Sequence, residues 1–466
     1  MRQLFVLILI FVPTMSFAAE RPNIVFMLSD DQGWSGLSVA MHPDFAGSKG
    51  DVFHTPSLET LAAQGMRFSA AYAPAPVCSP TRASLLTGKS PARLHWTKAA
   101  SPEEGRKLIE PRIAKRISTD EVTVAELLQS AGYATAHYGK WHLTSGGPGK
   151  HGYDEHDGDT GNEQAFQFTD PNPVDIFGMA QRAEEFMEKN SKEGKPFFIQ
   201  LSWNALHAPE NAMKASLAKY ERRMPNENAK RIATAAMTED LDTGVGKVLQ
   251  SIDRLGLASN TYVIYMSDNG AGGGRRNGLR GGKGGVWEGG IRVPLIVRGP
   301  GVKPNSWCHT PVVGFDLLPT FCEWARVEAS GLPKDIEGGS IASLLMNEGK
   351  GDVKRTREEL VFHFPHYQSD DGPQSAILLG NFKLMKFYED DRVMLFDLSK
   401  DLSERNDLAA SRPDVTDKLR QRLEKYLVEV DAQFPTTNSN YDPNQTPAPA
   451  REKRGGKNGA KQKGGV

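Results

Sequence analysis

Side chains able to do chemistry sit in short, widely separated segments of this 466-residue chain. Asp30-Asp31 and Asp268-Asn269 offer three carboxylates and one amide oxygen. These are hard ligands, suited to Ca²⁺ or Mg²⁺ rather than Zn²⁺. Either pair alone reads equally well as a strand-end turn, where Asp and Asn are common. Brought together they need a cation to offset their like charge. Cys78 lies just before an expected helix start in Cys78-Ser79-Pro80-Thr81-Arg82. A helix N-terminus presents free N–H groups and partial positive charge, so an anion facing Cys78 is favoured there and Arg82, one turn on, can steady it. Taken singly, Cys78 reads as a buried thiol and Arg82 as a surface charge. Lys140, His142, His207 and Lys283 add cations and acid–base groups, although each alone is an ordinary solvated lysine or structural histidine.

The elements that must carry these groups follow from pattern. Asn23 to Leu28 is a continuous apolar run, expected of a strand buried on both faces, and it ends at Ser29-Asp30-Asp31. Tyr133 to Tyr138, Pro196 to Trp203 and Tyr262 to Met266 repeat that form. Helices are expected from Thr55-Pro56 (cap and first-turn proline) to Gly65, from about Pro80, over Thr123 to Ser130, and over Ala229 to Leu255. Alternation of strand and helix argues for an α/β fold: a large mixed, mostly parallel sheet flanked by helices. Ligands in such sheets gather beyond the carboxyl ends of the strands, which is where Asp30-Asp31, Lys140 and His142, His207, and Asp268-Asn269 stand. After Val353 the chain reads as a smaller C-terminal α+β subdomain. His363 to His366, Phe382 to Lys386 and Met394 to Ser399 form an antiparallel sheet, with a helix over Val415 to Val430. The domain expectation is therefore a leader over 1–19, a catalytic α/β unit over 20–353, a subdomain over 354–435, and a disordered basic tail over 436–466.

The run Cys78 to Gly88 (CSPTRASLLTG) resembles the signature of type I, formylglycine-dependent sulfatases of the alkaline phosphatase superfamily. Gly139-Lys-Trp-His142, Leu206-His-Ala-Pro209, Leu279-Arg-Gly-Gly-Lys-Gly284 and Val286 to Pro294 resemble its further blocks, and the likeness runs from about Arg21 to Ala409. The resemblance implies that a formylglycine-generating enzyme oxidises Cys78 before folding. It implies one Ca²⁺ per chain on Asp30, Asp31, Asp268, Asn269 and position 78, and working roles for Cys78, Arg82, Lys140, His142, His207 and Lys283. In that chemistry one hydroxyl of the hydrated aldehyde attacks sulfur, His207 protonates the leaving oxygen, and deprotonation of the second hydroxyl by His142 expels sulfate. The expected substrate is a sulfated carbohydrate, with Trp34, Asn277, Arg280, His363 and His366 lining the sugar pocket, although His363 and His366 read equally well as core or surface groups. Two other functions stay open: hydrolysis of phosphate or phosphonate esters, and sulfated-glycan binding without cleavage if Cys78 remains a thiol.

A formal net charge of -1 gives no reason to expect nucleic acid or an anionic membrane as partner. Arg2, the apolar run Leu4 to Val12 and Ser16-Phe17-Ala18 read as an export signal, too short to span roughly 30 Å of hydrocarbon. Periplasmic or secreted localisation without a membrane anchor is expected. Three cysteines, Cys78, Cys308 and Cys322, are no disulfide framework; whether Cys308 pairs with Cys322 is left open. Arg451 to Lys463 is basic, and reads as a solvated tail or as a grip for anionic polysaccharide.

Overall fold

The computed structural model describes residues 21–272 and 278–444. The leader over 1–19, Asn277 and the basic run Arg451 to Lys463 lie outside the described residues.

Eight strands form the main sheet: β1 (Asn23–Ser29), β2 (Met66–Phe68), β3 (Ala134–Gly139), β4 (Glu155–His156), β5 (Phe197–Ser202), β6 (Thr261–Ser267), β7 (Leu295–Arg298) and β8 (Ser306–Cys308). Their order is β8-β2-β7-β6-β1-β5-β3-β4. The central block β6-β1-β5-β3 is parallel, while β7 runs antiparallel to both β6 and β2. Side-chain alternation explains the unbroken apolar run of β1. Ile24, Phe26 and Leu28 enter one core with Leu85 and Leu86 of α2 (Cys78–Thr87) and Leu127 and Leu128 of α3 (Val124–Ser130). Val25 and Met27 enter the other, with Leu58 and Leu61 of α1 (Pro56–Gln64), Phe186 of α4 (Ile176–Lys192) and Leu241 and Val245 of α5 (Ala229–Arg254). A strand covered by helices on both faces has no need of polar residues until its tip.

Two expected helix starts differ in detail. Thr55 does not cap α1; its hydroxyl is engaged by Ser38, and the Ser57 and Leu58 amides donate to Asp242 on α5 instead. Helix α2 begins at Cys78, two residues before Pro80, because Pro80 at the third helical position lacks only an N–H that has no intrahelical partner.

The C-terminal sheet has four antiparallel strands, β9 (Leu360–Phe364), β10 (Gln374–Leu379), β11 (Phe382–Phe387) and β12 (Val393–Asp397). The strand over 374–379 goes beyond the three segments that the pattern suggests. One face packs on α6 (Pro413–Glu429) through Ile377, Leu384, Leu419 and Leu423. The other packs through Phe362, Met385 and Phe396 on Trp287 and Ile291 of the main unit. The expected disorder from 436 is overturned at its start: Thr436–Thr437 pairs antiparallel with Leu108–Ile109, and the Asn438 amide donates to Lys107. Cys308 and Cys322 are buried free thiols. No helix among the described residues is long and apolar enough to cross a membrane.

Candidate active site

Strand register alone brings the candidate groups together. Ser29 lies opposite Ser267, so the next residues, Asp30 and Asp268, leave the sheet side by side. Leu28 lies opposite Ser202, and Ser202 opposite Gly139, so Lys140 and the loop holding His207 emerge at the same edge. The Asp30 amide donates to Ala205 O at 2.8 Å and the Lys140 amide to Ser202 O at 2.7 Å, fixing both tips. Asp31 and His142 hold left-handed backbone (φ 58° and 61°), a sparsely populated region for residues other than glycine.

Helix α2 places Cys78 beneath these tips. Its Sγ lies 3.2 Å from Asp30 Oδ1 and 4.0 Å from Asp31 Oδ1. Oxygen or sulfur atoms of Asp30, Asp31, Cys78 and Asp268 all fall within 4.8 Å of one another. Arg82, one turn along α2 and buried, donates to Asp268 Oδ2 from Nε (3.2 Å) and Nη2 (2.8 Å), and to Lys140 O at 2.6 Å. Lys140 Nζ bonds Asp30 Oδ2, and Lys283 Nζ reaches Asp31 Oδ1 at 2.6 Å. Asn269 Nδ2 donates to Asp31 Oδ1 at 2.7 Å, while its Oδ1 is buried with no hydrogen-bond partner among the described residues.

Burial and neighbours set the protonation of these groups. Burial drives the Asp30 pKa up, but Lys140, His207, Arg82 and Lys283 outweigh it and hold the carboxyl well below its ordinary range. For Asp268, burial and then the Asp30 charge raise the pKa to about 7. Burial, Asp268 and Asp30 push the Cys78 thiol well above its ordinary value, so an unmodified thiol here stays protonated and is no nucleophile. Burial opposes the Lys283 ammonium, yet position 78, Asp31 and Asp30 hold its pKa up. His142 is kept neutral by burial, Lys140 and Arg82; its Nδ1 is buried without a hydrogen-bond partner among the described residues. Burial also lowers His207, against the pull of Asp30, and its Nδ1 lies 2.7 Å from Ala208 O.

The donor set fits a hard divalent cation. Three carboxylates converge, the Asn269 amide touches one of them and keeps an Oδ1 without a hydrogen-bond partner among the described residues, and burial and then Asp30 push Asp268 toward neutrality. No second thiolate or imidazole accompanies Cys78 in that cluster, which disfavours zinc.

A cavity of about 460 Å³ opens on the cluster, joining Asp31, His207 and Lys283 to Val52, Phe53, Glu210, Lys230 and Arg231. Sequence reasoning missed these last residues. Lys230 and Arg231 read as solvated charges in the first turn of α5, and nothing local marks Val52 or Phe53; only tertiary contact brings them here.

Four of the expected sugar-pocket residues stand elsewhere. Trp34 is only 2 % exposed, its ring packed against Phe45 and His42 inside the core. Arg280 lays its guanidinium 3.7 Å over the Trp287 ring and donates to Glu404 O, lining a separate cavity. His363 is buried between Ser375 Oγ (2.7 Å) and Gln433 O (2.8 Å). His366 is buried between Thr97 Oγ1 and Glu110 Oε2, both at 2.7 Å. The ring nitrogens of His363 and His366 are used up in holding the fold. Asn277 lies outside the described residues.

The fold is shared with solved sulfatases. A protein crystallised with k-i-k-neocarrahexaose matches with a TM-score of 0.72 at 24% identity, over 88% of this chain and 93% of that one. Another, in complex with its substrate D-glucosamine-2-N,6-O-disulfate, matches with a TM-score of 0.68 at 23% identity, over 88% and 98%. At that identity the likeness speaks for the fold. In sequence, a sulfatase of Formosa agariphila is 29% identical over 89% of this chain and 90% of its own length, and human arylsulfatase A is 28% identical over 89% of each. A rat N-acetylgalactosamine-6-sulfatase is 33% identical over 61% of this chain and 58% of its own. The family model described as Sulfatase matches residues 22–327, and that described as N-sulphoglucosamine sulphohydrolase, C-terminal, matches 282–433. The chain belongs to the sulfatase family and is a sulfuric ester hydrolase.

Proposed function

We propose that this protein is an exported sulfatase that removes sulfate from a sulfated carbohydrate, using one Ca²⁺ and formylglycine made from Cys78. The observation that carries the reading is the convergence of Asp30, Asp31, Cys78 and Asp268 within 4.8 Å, at the mouth of a cavity of about 460 Å³. Asp30, Asp31, Asp268 and Asn269 would hold the cation, which when bound supplies positive charge against the sulfuryl oxygens. Conversion of Cys78 answers the chemical problem of a thiol kept protonated by its surroundings: a hydrated aldehyde there offers two hydroxyls on one carbon.

The remaining roles belong to the chain's own side chains. Lys140 and Lys283, each in contact with a carboxylate, add positive charge where the ester's oxygens must sit. Arg82 fixes Asp268 and the Lys140 backbone from below. His142, neutral and with a free buried Nδ1, is suited to take a proton from the group at position 78. His207 lines the cavity, where burial lowers its pKa against the pull of Asp30, and its place on the cavity wall supports the role of acid for the leaving oxygen. The carbohydrate assignment rests on the relatives: one is named N-acetylgalactosamine-6-sulfatase, and two neighbours in fold were solved with k-i-k-neocarrahexaose and with D-glucosamine-2-N,6-O-disulfate. The leader over residues 1–19 supports export.

The test is a release assay on defined sulfated saccharides and on paired aryl sulfate and aryl phosphate esters, with mass analysis of the Cys78 peptide from the same preparation. Sulfate release together with an aldehyde at position 78 is expected. Preference for the phosphate ester, or an intact thiol in fully active protein, contradicts the reading.

A further inference from the structure

A second group of buried charges lies outside the strand-tip site. Lys383 on β11 is 1 % exposed and places Nζ 2.9 Å from Glu288 Oε1 and 2.8 Å from Glu404 Oε1. Arg292 Nε donates to Glu288 Oε2 at 2.6 Å, and its Nη2 to Tyr72 OH at 2.8 Å. The Glu288 amide donates to Glu404 Oε2 at 2.8 Å. Two cations and two carboxylates thus face one another with side chains at most 4 % exposed, and stability alone is a poor reason to keep such a cluster.

Its position supplies another reason. Glu288 belongs to the segment 278–292, which also carries Lys283, and that segment is held from the C-terminal subdomain at several points. Gln374 accepts from the Val286 amide at 3.1 Å, Asp371 from Trp287 Nε1 at 2.8 Å, and Glu404 O from Arg280. From Glu288 two short backbone paths lead to the strand-tip groups. The Gly270 amide, next to Asn269, donates to Gly290 O at 2.9 Å. The Gly289 amide donates to Arg280 O at 2.7 Å, and the Lys283 amide to Ala271 O at 3.1 Å. A Cβ at Gly270 would fall 2.0 Å from Gly289 O, so the two segments touch backbone to backbone and move as one.

We propose that Lys383 is a positioning residue for ester hydrolysis: through Glu288 and Glu404 it fixes segment 278–292, and with it the placement of Lys283 and Asn269. The C-terminal sheet thereby takes part in the reaction without touching substrate. This rests on the reading of Lys283 and Asn269 as working groups of a cation-dependent sulfatase.

The test uses the full-length, formylglycine-bearing protein. Lys383→Met alone leaves two carboxylates facing each other and can fail to fold. The double variant Lys383→Met/Glu404→Gln keeps the cluster's charge balance and is the informative one. With its fold verified by circular dichroism, kcat on an aryl sulfate is expected to fall about 10- to 100-fold with KM unchanged. The calcium concentration at half-maximal thermal shift is expected to rise about 10-fold, a readout independent of turnover. Glu404→Gln alone, the milder change, carries the same test with about a 10-fold loss in kcat if the double variant does not fold. A folded variant with wild-type kcat and calcium midpoint overturns the proposal. A wild-type protein that binds calcium yet cleaves no sulfate ester sinks the proposed function instead, while the calcium midpoint still reports on Lys383.

Discussion

Two clusters of buried charge, one at the strand tips and one between the two sheets, differ in the groups they assemble. At the strand tips, Asp30, Asp31 and Asp268 face Lys140, Arg82 and Lys283, but Asn269 Oδ1 and His142 Nδ1 lack partners and the group meets a cavity. Between the two sheets, Glu288 and Glu404 face Lys383 and Arg292, two carboxylates against two cations, and Glu404 also borders the cavity lined by Arg280 and Trp287. Buried charge by itself therefore does not distinguish chemistry from architecture. The convergence of three carboxylates with a thiol, all within 4.8 Å of one another, makes the distinction. The thiol tells the same story, since three buried cysteines occur but only Cys78 lies against carboxylates.

The contrast is broken most severely at position 78. Cys78→Ala is expected to lower sulfate ester turnover on the order of 10⁴-fold or more, with thermal stability nearly unchanged. Cys78→Ser, in a host that does not convert the serine, is expected to accumulate a stable sulfate ester on that residue, visible by peptide mass. Multiple turnovers by the purified serine variant would contradict this. Next in size, His207→Gln is expected to cost about 10²- to 10⁴-fold in kcat on substrates with poor leaving groups, and less on activated aryl esters. An equal loss on both classes argues against a role in protonating the leaving oxygen.

A stability measurement sharpens the architectural side. His363 is buried, and burial lowers its pKa to about 4; His137 is lowered to about 3 by burial and by Arg82. Both folded values lie below the ordinary 6.5, so between them the unfolded chain binds more protons. Stability is therefore full above about pH 6.5 and is lost as the pH falls toward 4, by roughly 3 kcal/mol per histidine. His363→Gln is expected to flatten this loss in urea titrations at pH 7 and 4.5 while leaving KM for sulfated saccharides unchanged. A raised KM would restore His363 to the sugar site. The smallest effect is expected at the cavity wall, where Lys230→Ala should alter KM for a charged saccharide by about 2- to 5-fold, the scale of an exposed ion pair.

Much of the catalytic unit was legible in the sequence because its logic is local. A buried parallel strand must be apolar to its tip, so the first polar residues after Leu28 and Met266 mark the edge where ligands gather. The two pairs of groups then meet because β1 and β6 are neighbours in register, a fact that only the sheet order supplies. The sugar-facing residues were not legible, for a physical reason. His363 and His366 look like free functional groups in sequence, yet Ser375, Gln433, Thr97 and Glu110, all distant in the chain, occupy their nitrogens. Lys383 shows the converse: in a strand that looks half-exposed it reads as a solvated charge, and only packing against segment 278–292 buries it.

The most direct test of the central claim is sulfate release from an aryl sulfate by full-length, matured protein that has been stripped of metal and then titrated with Ca²⁺. The account predicts no turnover in the stripped protein and full recovery at one calcium per chain, with Asp268→Asn recovering little at any concentration. Turnover that persists in the stripped protein, or that returns undiminished in Asp268→Asn, would contradict it.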